Sequence, residues 1–104
     1  MSDDKRSSPR VSNVVELECH TMDGTQTPVT ARMSDLSTTG AFLDAMNGLP
    51  PGTKLALRFN AGQQEVRVAA EVMHTMPNFG MGVRFLDLAD EGRAAIEALI
   101  REQG

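Results

Sequence analysis

Between Val14 and Leu86 the apolar residues recur at every second position, and turn-forming residues interrupt this pattern at short intervals. Alternation of that kind is the signature of strands with one face buried and one face wet. Val15, Leu17 and Cys19 alternate with Glu16, Glu18 and His20, which sends Cys19 inward and His20 outward. Met22-Asp23-Gly24-Thr25 reads as a turn, so a hairpin is expected, with Val29, Ala31 and Met33 on the inner face of its second strand and Thr30, Arg32 and Ser34 on the outer face. That strand runs into Asp35-Leu36-Ser37-Thr38-Thr39-Gly40, and a short strand follows from Ala41 to Asp44.

The run Asn47-Gly48-Leu49-Pro50-Pro51-Gly52 is a loop, because its prolines lack backbone donors and its glycines permit unusual dihedrals. Leu55, Leu57 and Phe59 then alternate with Lys54, Ala56 and Arg58. Asn60-Ala61-Gly62 is the expected turn into Val66, Val68, Ala70 and Val72. After Pro77-Asn78 a last strand is expected over Gly80 to Leu86, with Met81, Val83 and Phe85 facing one way and Gly82 and Arg84 the other. Only the C-terminus changes period. From about Asp90 to Glu102, Ile96, Leu99 and Ile100 recur at helical spacing, with Asp90 and Glu91 at the end that favours acids and Arg101 at the end that favours bases. The expected fold is all-β, a six-stranded antiparallel β-barrel with a C-terminal α-helix over about 90–102.

At 104 residues the chain makes one domain, and folding buries roughly 60–70% of the unfolded surface, enough for one core without metal or disulfide staples. With four Phe, no Trp and no Tyr, aliphatic side chains and methionines must fill that core and its rim. Residues 1–12 divide from the barrel domain, 13–104, because MSDDKRSSPR offers no apolar residue after Met1 and reads as a flexible basic arm carrying Lys5, Arg6 and Arg10.

No apolar run approaches the ~18 residues of a membrane span, and Met1 leads into a polar segment instead of a secretory signal, so the expectation is a cytoplasmic protein without membrane insertion. A single cysteine fits a reducing compartment. A net charge of −4 argues against nucleic acid as a partner, since phosphate neutralisation needs a basic surface, but leaves room for one small anion at a local basic cluster.

Enzymatic chemistry finds little support. Cys19 and His20 are adjacent on a strand and leave opposite faces, so they do not form a nucleophile and base, and Cys19 is expected to be buried and inert. His20 and His74 lie on different strands without ligand spacing, which predicts no metal site and histidines that are solvated or packed on neighbours. Two motifs remain. Arg6-Ser7-Ser8-Pro9-Arg10 places two forked donors suited to phosphate and to guanine O6/N7 just before the first strand. Asp35-x-Ser37-x-x-Gly40 lies between the second and third strands, where Asx and Ser turns to the backbone are its bland explanation.

In order and placement these motifs resemble the PilZ domain family, whose signature is RxxxR before the first strand and D/N-x-S-x-x-G between the second and third. Gly40-Ala41-Phe42-Leu43, the Pro51-Gly52 turn and Gly82-Val83-Arg84-Phe85 ahead of a terminal helix are also similar to that family, so nearly the whole chain takes part, and every motif position is filled.

The resemblance implies a non-catalytic receptor for cyclic di-GMP, a bacterial second messenger with two guanines and two phosphates. No other cofactor is implied. Carried over, Arg6 and Arg10 would wrap phosphates and the Hoogsteen edge of guanine. Asp35 would accept from guanine N1–H and N2–H₂, Ser37 would bond the ligand or brace the turn, and Gly40 would permit close backbone approach. Lys5 and Arg84 are the additional expected ligand contacts. Lys5 leans the family towards a stacked pair of ligands, and Arg84, like Arg32, either borders the ligand or pairs with Glu16, Glu18 or Glu71. The arm would order on binding and present a new surface to an unidentified effector protein, with the chain a monomer or a ligand-linked homodimer. Motility and biofilm regulation are the family's usual outlets. The alternative is a PilZ-like protein–protein interaction module with weak or no nucleotide binding.

Overall fold

The computed structural model describes residues 15–22, 24, 26–46 and 48–103, with the side chains of residues 15, 16 and 103 excepted. Six strands and one helix follow one another as β1 (Val15–Thr21), β2 (Arg32–Leu36), β3 (Gly40–Asp44), β4 (Lys54–Ala61), β5 (Gln64–Met76), β6 (Gly80–Leu86) and α1 (Asp90–Gln103). The strands close into an antiparallel barrel in the order β1-β2-β3-β6-β5-β4, which leaves no open sheet edge.

The inward members of each alternation form one core. Met33, Leu43, Leu55, Ala70, Met81 and Ile96 have no exposed surface, and full burial of side chains such as Leu or Ile contributes about 1.5–3 kcal/mol each. Phe59 and Phe85 stack with ring centroids 6.4 Å apart, within the favourable range for aromatic pairs. On α1, Ile96 enters the core while Ala95, Leu99 and Ile100 pack at its margin, and the helix rests on β4 and β5. Asp90 and Glu91 occupy its first turn and Arg101 its last, as the helix dipole favours.

Three expectations need correction. The first hairpin is nearly absent as a ladder: β1 pairs with β2 only through Val15↔Met33 and Glu16↔Arg32, whereas β4 pairs with β1 from Leu17↔Phe59 to Thr21↔Leu55. The connection carries Gln26 at φ 49 and Pro28, which has no N–H to donate. It touches β1 by a His20↔Pro28 bridge and the Val29 N–H donating to the Cys19 carbonyl at 2.8 Å. Secondly, β4 continues through buried Ala61, so the chain reverses at Gly62, whose φ of 66 suits a residue without Cβ. Thirdly, the methionines divide: Met33 and Met81 are core, but Met22, Met46, Met73 and Met76 are 47–72% exposed.

Two register shifts interrupt the ladders, between Met33 and Asp35 on β2 and between Val72 and His74 on β5. Plain alternation anticipates neither. Each reverses the facing of the residues beyond it.

Candidate functional site

On β2, Met33 and Leu36 both enter the core. Strict alternation from Met33 would have sent Asp35 inward too. The bulge gives Asp35 the outer face, opposite Phe42 on β3. On β5, Val66, Val68, Ala70 and Val72 all point inward, and the same count would bury His74. The second bulge turns it out, opposite Gly82 on β6, where it is exposed.

Pairing of Phe42 with Gly82 completes a cross-strand row, Asp35–Phe42–Gly82–His74, on the outside of the barrel. A second row beside it runs Gly40–Arg84–Glu71–Lys54. Between these rows and the β2–β3 turn lies an open groove of about 490 Å³, lined among others by Asp35, Ser37, Gly40, Phe42, His74 and Arg84.

Ser37 braces the turn. Its hydroxyl accepts from the backbone N–H of Thr39 at 3.2 Å and of Gly40 at 3.3 Å, its own N–H donates to the Gly40 carbonyl at 2.9 Å, and the Phe85 N–H donates to the Thr39 carbonyl at 2.9 Å, which ties the turn to β6. Gly40 is required by the barrel itself, because a Cβ there would run into the carbonyl oxygen of Val83 on the neighbouring strand. Arg84 donates to Glu71 Oε1 at 3.2 Å with its own side chain 57% exposed, so the cross-strand pair considered for it exists and lies at the groove's edge.

Of the residues singled out in the sequence, Asp35, Ser37, Gly40 and Arg84 therefore come together. Lys5, Arg6 and Arg10, with the rest of the 1–12 arm, lie outside the described residues. Arg32 lines a different concavity with Asp44, Met46 and Phe79, at the barrel end opposite the β2–β3 turn. His74 and Phe42 are the groove residues that sequence reasoning missed. The sequence carries no signal for His74, because the shift after Val72 and its register with Gly82 are properties of the sheet.

Away from the groove, one buried thiol and one surface ion-pair network are structural. Cys19 is buried, and burial pushes its thiol up to about 11. Arg58 bridges Glu18 and Glu65 on the outer face of β1, β4 and β5, and its guanidinium holds both carboxyls below their ordinary value. Among the described residues no cluster of His, Cys, Asp and Glu could hold a metal ion, and no helix is long and apolar enough to cross a membrane.

The family model for the PilZ domain matches residues 4–102, a span that includes both motifs and the whole barrel. The chain belongs to the PilZ domain family. Solved structures share its fold. The PilZ domain with c-di-GMP of YcgR from Escherichia coli superposes with a TM-score of 0.68 at 18% identity, covering 96% of this chain and 92% of that one. The PilZ domain of CeSA from a cellulose-synthesising bacterium gives 0.65 at 20% identity, covering 89% and 95%. The Bacillus subtilis inhibitor of motility MotI/DgrA gives 0.73 at 17% identity, covering 97% of this PilZ chain but 52% of its own. The comparison with curated proteins gives no match.

Proposed function

We propose that this PilZ domain is a non-catalytic receptor for cyclic di-GMP that acts through a partner protein. The observation that carries this reading is the groove in which Asp35, Ser37, Gly40 and Arg84 meet, in a family whose YcgR member has been solved with that ligand.

The ligand's two purines and two phosphates match what surrounds the groove. Asp35 stands outward to accept from the N1–H and N2–H₂ edge of guanine. Arg84 supplies a cation at the opposite edge. Ser37 holds the turn that presents Asp35, and its acceptor capacity is already used there.

The phosphates call for more positive charge than Arg84 alone provides. Arg6 and Arg10 fit that need by position. The chain reaches the barrel at Val15, opposite Met33, directly before the bulge that turns Asp35 outward. Five residues of extended chain span at most about 18 Å, which leaves Arg10 within reach of the groove. In this account residues 1–12 fold over the bound nucleotide, at an entropic cost that the charge-assisted contacts must exceed. Lys5 extends the same basic arm towards a second, stacked ligand. The ordered arm and the ligand together form the surface an effector reads, in the cytoplasm, with the domain a monomer or a ligand-linked dimer.

A second reading, a module that works by protein contact with little nucleotide binding, draws on exposed Phe79 and Met46 at the far end of the barrel. A thermal-shift panel separates the two. The receptor predicts a rise in Tm with cyclic di-GMP and none with GTP or cyclic AMP, whereas the contact module predicts no rise with any of them.

A further inference from the structure

The geometry points to His74 as a stacking platform for a purine of the bound nucleotide, an inference that rests on the cyclic di-GMP reading and adds to it a contact outside both sequence motifs. The argument begins with the bulge. A barrel strand whose inner face is Val66, Val68, Ala70 and Val72 breaks register just before His74. Continued alternation would simply place the next residue in the core. The break sends a planar polar ring to the outer face, in the same row in which the other bulge places Asp35. Bulges of this kind commonly re-aim a side chain beside a functional site.

The ring's seat is specific. His74 lies over Gly82, where a Cβ would meet three atoms of the imidazole, with Nε2 at 2.9 Å and Nδ1 at 3.1 Å. Gly82 is buried although it belongs to an outward position, because the imidazole covers it. Any larger residue at 82 would lift the ring from the sheet. Phe42 lies against Gly80 in the same manner, its Cε2 2.9 Å from where a Cβ would stand. Two flat side chains therefore rest on the outward glycines of β6, inside the groove that Asp35 borders.

Of the two, His74 is the more open. Among the described residues its imidazole makes no hydrogen bond or ion pair, and it is exposed where Phe42 is half-buried. A ring pinned on one side by backbone and open on the other is built to receive another flat ring. Purines stack on such surfaces with little regard to base identity, so selection for guanine falls to the Asp35 carboxylate at the row's far end.

Titration of cyclic di-GMP into the full chain and into His74→Phe, His74→Leu and His74→Ala tests this, with each variant's Tm recorded. Phe keeps a planar ring and Leu keeps only bulk over Gly82. The expected result is affinity within about twofold of wild type for Phe and a loss of about 5- to 100-fold for both Leu and Ala. An upfield shift of the His74 Cε1–H proton resonance on ligand addition is expected in parallel. Wild-type affinity in His74→Leu or His74→Ala would overturn the inference while leaving the receptor reading intact. A wild-type chain that does not bind would end both.

Discussion

Asp35 and His74 stand at opposite ends of one cross-strand row, and each faces outward because a β-bulge directly precedes it. The relationship predicts a division of labour between the two ends. Asp35→Asn keeps the shape of the side chain but presents a donor where guanine already donates. Loss of charge-assisted hydrogen bonds of this type costs about 1.5–3 kcal/mol. Affinity for cyclic di-GMP is therefore expected to fall at least about tenfold with little change in Tm, as measured by calorimetry and thermal denaturation on the same samples.

Gly40 belongs to the fold before it belongs to the ligand. A methyl group at this position collides with the Val83 carbonyl, a backbone atom that moves only with its strand. Gly40→Ala is expected to destabilise the barrel by about 1–3 kcal/mol, the usual cost of overpacking, whether or not ligand is present. Chemical denaturation reads this directly. Unchanged stability with lost binding would show instead that Gly40 serves close approach of the nucleotide alone.

In the proposed complex Glu71 would compete with the ligand for Arg84, with which it pairs in the barrel. The pair is exposed on the Arg84 side, and exposed pairs of this kind are worth about 0.2–1 kcal/mol. Glu71→Gln releases the guanidinium and removes a negative charge from the groove's edge, so binding of the anionic nucleotide is expected to tighten, by up to about fivefold. The gain should shrink in high salt. Weaker binding in the variant would mean that Glu71 positions Arg84 for the ligand.

Cys19 is expected to be silent towards thiol reagents while the barrel is folded. Its burial raises the thiol from 9.0 to about 11, so the native state holds the proton more tightly than the unfolded one. The resulting stability is fully present below pH 9.0 and is lost as pH rises through about 11. Denaturation midpoints of wild type and Cys19→Ala across that window check the sign: the wild type should lose stability more steeply. Labelling at pH 8 should track unfolding.

Much of this architecture is legible in the residue order. The alternations of Leu55, Leu57 and Phe59 and of Met81, Val83 and Phe85 mark strands because their inward side chains must share one core, and Ile96 and Leu99 mark the helix by their spacing. Asp35, Ser37 and Gly40 stand out for the same reason, as turn chemistry at fixed offsets. What alternation does not carry is which strand lies beside which. That β1 pairs along its length with β4 and through only two residue pairs with its sequence neighbour β2 depends on barrel closure and on Pro28 and Gln26 in the connection. Nor does alternation show a single inserted residue. His74 was hidden for that reason, since its outward position follows from a one-residue slip and its ring packs on Gly82, a contact between strands.

The central claim, that this groove and the arginine arm together bind cyclic di-GMP, is tested most directly by calorimetric titration of that nucleotide into the wild-type chain and into Arg10→Ala, with GTP as control. Saturable binding selective for cyclic di-GMP and weakened at least about tenfold in Arg10→Ala is the predicted result, and its stoichiometry would report whether Lys5 goes with one ligand or a stacked pair. Absence of heat and of any thermal shift with the wild-type chain would contradict it.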